Sequence, residues 1–181
     1  ARTLPACVRP ARPSGRKRHA RRSDMPTYET SRRVAHGASD MFGLVADIER
    51  YPDFVPMCEA LSVRSSRERD GRTIRVADMT VCYKAIRETF TSQVLLKPDE
   101  QAIDVKYLDG PFRYLDNRWR FEPDGDNACV VHFYIDYEFK SRILGVLMGA
   151  MFDRAFRMFA DAFEKRADLV YGTGGIKRAD R

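Results

Sequence analysis

Strand-length runs separated by tight turns, followed by one long helix, restrict this chain more than any other feature of its sequence. "EALSVRSSRE" turns at Arg69-Asp70-Gly71 into "RTIRVADMTVCY", and "KAIRETFTSQVLL" turns at Lys97-Pro98-Asp99 into "QAIDVKYL". After "DGPF" come "RYLDNRWRF", the turn "EPDGDN" and a last run in which the period is plainest. There Cys129, Val131, Phe133, Ile135, Tyr137 and Phe139 alternate with Val130, His132, Tyr134, Asp136, Glu138 and Lys140, a strand with one apolar face. A helix is expected from about Ser141 to Tyr171, closed by "GTGG". Successive strands joined by short turns pair antiparallel, so the class is α+β and not a doubly wound parallel sheet. One sheet face needs a cover, and the last helix is the only large one available. The economical arrangement is a curved sheet wrapped around that helix.

Ahead of the six runs, Tyr28 to Val34 reads as a short strand. Ser39 reads as the N-cap of a helix through "DMFGLVADI", which Pro52 and Pro56 stop.

The long helix changes character along its length. Asp153, Arg154, Arg157, Asp161, Glu164, Lys165 and Asp168 fall on one arc at 100° per residue, whereas Ile143, Val146, Leu147 and Ala150 occupy that arc one or two turns earlier. Residues 143–152 carry no charge, yet ten residues make only about 15 Å of helix, half a bilayer core. The opposite arc carries Leu144, Gly145, Met148, Gly149, Phe152, Phe156, Phe159 and Phe163. Each helical glycine costs about 1 kcal/mol relative to alanine. Two readings stay open for the pair: close packing of helix on sheet, or room cleared for a ligand between them. For Ile143, Val146 and Leu147 the alternatives are a covering loop or an exposed patch for membrane or partner contact.

The net charge of +6 is misleading, because residues 1–24 hold eight Lys/Arg against Asp24 alone. The rest of the chain carries 24 basic and 25 acidic side chains, so the body shows no basic excess of the kind a large phosphate-neutralising face needs. Residues 1–25 are expected to be a basic disordered tail, residues 26–172 one domain, and residues 173–181 a short C-terminal tail. Three origins for the basic segment stay open: an organelle transit peptide, an arm for anionic lipid or RNA, or sequence upstream of a start at Met25. Cys7, Cys58, Cys82 and Cys129 lack CxxC spacing, and His19, His36 and His132 are scattered, so no metal site is expected.

"ERYPDFVPMCEALSV" (49–63), "DGPFRYLDNRWRF" (109–121) and "VHFYIDYEFKSRILGVLMGAMFDRAFRMFADAFEKRADLVYG" (131–172) resemble the Coq10/RatA family of START-like proteins, within the polyketide cyclase (SRPBCC) superfamily. The resemblance runs in order from residue 26 to 172. It implies a helix-grip fold of the START/Bet v 1 type with a hydrophobic cavity between sheet and terminal helix. It further implies a coenzyme Q (ubiquinone) or polyprenyl-lipid binder, a chaperone supporting respiratory electron transport and ubiquinone biosynthesis. No cofactor is required under that reading; the quinone is the ligand. The implied place is the cytoplasmic face of a bacterial inner membrane, or the matrix face of the mitochondrial one if the tail is a transit peptide. The alternative the same family offers is a ribosome-associated toxin that blocks subunit association. Met57 is a departure, since tryptophan is expected between that proline and cysteine.

A quinone presents two carbonyl acceptors and a long apolar tail, so its site should be apolar and aromatic with few donors. The candidate wall is Phe54 and Val55 after the first helix, Trp119, Phe121, Phe133 and Ile135 on strands, and Leu144, Gly145, Met148, Gly149 and Phe152 on the helix. Tyr83, Tyr107 and Tyr114 are candidate donors to a quinone oxygen. Arg118 and Arg120 share a strand face with Asp116 and read as a solvated ion-pair face. Catalysis is not expected: His132, Asp136 and Glu138 fall on the outward phase of their strand, and no nucleophile–base pair or phosphate loop is visible.

Overall fold

The computed structural model describes residues 27–83 and 85–172, apart from the side chains of residues 147–153. Strand β1 (Thr27–Val34) leads through a short loop to helix α1 (Ala38–Ala46), whose buried Ala38, Met41, Leu44 and Val45 form one face. The helix begins two residues earlier than its sequence suggests. Gly37 is the N-cap, its carbonyl accepting from Met41 N at 3.0 Å, and Ser39 lies inside the first turn. The prolines act differently from the expectation too. Helix α1 closes where Asp47 N donates to Gly43 O at 3.1 Å, a 3-10 turn covers Ile48–Arg50, and Pro52 sits in the first turn of a new short helix α2 (Tyr51–Phe54). A proline there loses no hydrogen bond, so it starts a helix instead of ending one.

Six strands follow: β2 (Cys58–Arg69), β3 (Arg72–Tyr83), β4 (Ile86–Lys97), β5 (Ala102–Asp109), β6 (Phe112–Pro123) and β7 (Cys129–Phe139). All neighbours pair antiparallel in the order β1-β7-β6-β5-β4-β3-β2, so β1 returns to the far edge beside β7. Asp70 and Gly71 both take positive φ (52° and 72°), the backbone of a tight two-residue hairpin between β2 and β3. Register shifts fall in β2, between β4 and β5 at Thr91/Ser92, and between β6 and β7 at Phe112/Tyr114. Such bulges bend strands, and here they curl the sheet.

Helix α3 (Arg142–Tyr171) lies in the concave face. Ser141 caps it, Oγ accepting from Leu144 N at 3.3 Å, and Gly172 follows its last residue with φ 87°. Thirty residues give a rod about 45 Å long. Phe156, Phe163 and Ala167 are buried against the sheet. Arg32 on the edge strand ties β1 to the helix, reaching Asp161 and Glu164 at 2.6 Å each. His36 Nε2 lies 2.8 Å from Asp168 Oδ1, joining the β1–α1 loop to the last turns.

The buried residues form two clusters. One sits under α1 around Met41, Val45, Ile103, Phe121 and Phe163, and the other gathers Phe112, Leu115, Ile135, Tyr137, Phe139 and Phe156. Burial pushes the Cys58 and Cys129 thiols up to about 11, which suits inert core cysteines.

Candidate functional site

A cavity of about 160 Å³ lies between the concave sheet face and α3, with both clusters contributing to its wall. Inward positions of the strands line it: Ala77, Met79 and Val81 from β3; Phe90, Ser92 and Val94 from β4; Ile103 and Val105 from β5; Leu115, Asn117 and Trp119 from β6; Phe133 and Ile135 from β7. Ala155, Phe156, Phe159 and Phe163 close the helix side, while Tyr51, Val55 and Met57 reach in from the segment between α1 and β2. No Asp, Glu, Lys, Arg or His belongs to the wall among the described residues. A space this size matches an engineered cavity of about 150 Å³ that takes benzene, and falls below the 300 Å³ or more that encloses a drug-sized molecule. It holds one ring.

Polar groups in the wall are few. Tyr51 is already committed, donating to Val45 O at 2.6 Å, and burial drives its phenol well above the usual range. Asn117 Nδ2 donates to Tyr134 O at 2.9 Å while its Oδ1 accepts from Trp119 Nε1 at 3.0 Å, which fixes the indole. Trp119 also packs on Phe133 at 4.6 Å and Phe163 at 5.4 Å between ring centres. A second pocket of about 40 Å³ lies behind Trp119, Phe133, Phe156, Phe159 and Phe163, reaching Thr30, Arg32 and Glu164 at the β1–α3 seam. Those five rings are the partition between the two spaces.

Of the sequence candidates, Val55, Trp119, Phe133 and Ile135 meet in the wall. Phe54 does not: α2 turns its ring against Tyr51 and Phe163 (5.9 and 5.2 Å), under the Arg166 guanidinium at 5.4 Å, and Tyr51 takes the place facing the cavity. Phe121 lies two residues beyond Trp119 along β6 and is buried under α1 against Phe42, 6.0 Å away. Leu144 packs on the cluster around Phe112, and Gly145 faces Phe139, so neither lines the cavity. Among the described residues a Cβ at Gly145 would meet only Phe139, at 3.9 Å, an ordinary contact that does not demand a glycine. Leu147, Met148, Gly149 and Phe152 lie outside the described side chains. Ile143 and Val146 are 74% and 81% exposed, with no covering loop among the described residues.

Among the candidate donors, Tyr83 lines the cavity. Tyr107 is absent from the wall, and its hydroxyl is buried with no hydrogen-bond partner among the described residues. Tyr114 belongs to the outer sheet face, where burial and its bond to Asp136 (3.1 Å) push its phenol up to about 12. That face is an ion-pair lattice: Arg118 with Asp116 at 2.5 Å, Arg120 with Asp104 at 2.8 Å, Lys97 with Asp104 at 2.7 Å. Burial raises the Asp104 carboxyl, but the hydrogen bonds from Lys97 and Arg120 outweigh it and hold the group below the usual carboxylate range.

The family described as polyketide cyclase / dehydrase and lipid transport matches residues 34–164. The chain belongs to that family. The ribosome association toxin RatA of Vibrio cholerae is 34% identical over 148 residues, covering 82% of this chain and 99% of that protein. The mitochondrial coenzyme Q-binding protein COQ10 homolog B of Xenopus laevis is 29% identical over 148 residues, and the match spans 59% of its length. An 18 kDa protein from Caulobacter crescentus, solved in solution, is 33% identical, with a TM-score of 0.70 over 82% of this chain and all of its own. The chain is a seven-stranded antiparallel sheet with a long C-terminal helix packed on it, and it shares its fold with a START superfamily protein from Mycobacterium smegmatis at a TM-score of 0.69 over 80% of this chain. Among the described residues of this family member no helix is long and apolar enough to cross a membrane, and no group of three His, Cys, Asp or Glu side chains could hold a metal ion.

Proposed function

We propose that the protein is a noncatalytic binder of a neutral hydrophobic molecule with a ring-sized head, a class that includes coenzyme Q and related polyprenyl lipids. The cavity carries this reading, since its described wall holds no charged side chain. A carboxylate or phosphate would leave water there without a counter-ion, at a cost of several kcal/mol or more. A ring and its first carbons suit the space, and the remainder of a long tail would lie outside it. The exposed Ile143 and Val146 at the start of α3 supply a surface for that remainder, or for a membrane from which it is taken. Trp119 is the sole tryptophan and lines the cavity, so it reports occupancy. Saturable quenching of Trp119 by a short-tailed benzoquinone is the expected result. Linear, collisional quenching would overturn the reading.

Ribosome association is the second reading, and the names of the relatives favour it over quinone handling as the cellular role. Proteins named as ribosome association toxins match over nearly their whole length in several bacteria, whereas the COQ10 homolog matches over little more than half of its own. The two readings use different parts of the molecule, an interior and an exterior. Sedimentation with isolated ribosomal subunits, with and without residues 1–24, tests the second. Co-sedimentation that survives removal of the basic segment supports docking by the folded body, and loss with that segment contradicts it.

A further inference from the structure

Strand β4 turns every second side chain onto the concave face, so Phe90, Ser92 and Val94 line the cavity while Thr91 and Gln93 do not. Thr91 is satisfied, donating to Asp78 Oδ1 at 2.6 Å. Ser92 is only 6% exposed, and its hydroxyl has no hydrogen-bond partner among the described residues. Its oxygen is not among the fully buried atoms that lack a partner, so in a residue otherwise buried it opens on the cavity, free to meet a guest.

A second polar group faces the same space. Asn117, 7% exposed, sits on β6 across β5 from Val94, the next inward residue after Ser92. One hydrogen of its Nδ2 goes to Tyr134 O, and an amide nitrogen carries two. The register shift at Thr91/Ser92 falls beside this pair, and bulges of that kind commonly re-aim side chains next to binding sites.

We propose that Ser92 and Asn117 are the polar contacts of the cavity, donating hydrogen bonds to a carbonyl oxygen of a neutral ring. The proposal rests on the ligand-binding reading above and sharpens it. Apolar walls select a ring by size, and two donors without a nearby charge select an uncharged acceptor. A water molecule held by the same donors is the competing explanation, and the test separates the two.

Duroquinone and durene share a tetramethyl-substituted six-membered ring and differ in two carbonyl oxygens. Duroquinone binding is followed by quenching of Trp119, and durene by competition against it. Wild-type protein is expected to bind duroquinone more tightly than durene. Ser92→Ala should weaken duroquinone about three- to tenfold, the range for one neutral hydrogen bond, and leave durene unchanged. Its melting temperature should not fall, since the hydroxyl has no protein partner to lose. Ser92→Thr, which keeps the hydroxyl, should retain the preference for the quinone. If Ser92→Ala shifts both compounds equally, or neither, the proposal is overturned while the ligand reading stands. If wild-type protein binds neither compound, both fall together.

Discussion

At Gly110 the backbone turns with φ +132°, and a Cβ built there would lie 2.7 Å from Phe90 Cβ and 2.9 Å from Thr89 O. Neither the dihedral nor the space admits a side chain, and the β5–β6 hairpin it serves places Phe112 beside the cavity, against Phe90 of β4 at 5.5 Å between ring centres. Gly110→Ala is expected to cost about 2–4 kcal/mol in denaturant unfolding. Gly145 is the opposite case, in helical backbone with ordinary room for a methyl beside Phe139. Gly145→Ala should raise stability by about 0.5–1 kcal/mol, the difference in helix propensity. A loss there would show that the glycine serves a purpose the packing does not reveal. The sequence places Gly110 in a turn and Gly145 in a helix; the backbone angle and the neighbours of a would-be Cβ add what a methyl would cost at each.

Among the elements, α3 was the most legible. Its cap at Ser141, its end before Gly172 and its inward Phe156, Phe159 and Phe163 all follow from a 3.6-residue period and end signals that depend on local sequence alone. The alternation of β7 placed Phe133 and Ile135 for the same reason. Segments without a period were not legible. Between α1 and β2 the chain makes a 3-10 turn and a short helix, and Met57 takes φ 65°, so which of Tyr51 and Phe54 faces the cavity depends on tertiary packing. The apolar first turns of α3 carry a prediction of their own. Val146→Glu should leave unfolding free energy within about 0.5 kcal/mol, since the side chain is exposed. It should also reduce flotation with phosphatidylcholine–phosphatidylglycerol vesicles. Equal flotation of both proteins would remove this patch from any membrane role.

For the molecule as a whole, one sheet gripping one helix leaves a ring-sized apolar space that neither element could enclose alone. The apolar part of its wall was half visible in the sequence, because inward phases of strands can be counted. Its polar part was visible in principle: Asn117 interrupts the run Leu115, Trp119, Phe121, and Ser92 interrupts Phe90, Val94, Leu96. A polar residue on the apolar phase of a strand is the signal, fainter than that of the tyrosines around it. The central claim is that this space is occupied by a neutral hydrophobic guest. Mass spectrometry of the organic extract from gently purified protein tests it directly, with Ala77→Leu, which fills the cavity from β3, as the control. The account predicts a neutral, oxygen-bearing ring lipid at near-stoichiometric yield from wild type and a sharply reduced yield from the variant. Equal extracts from the two, or an extract dominated by charged phospholipid, would contradict it.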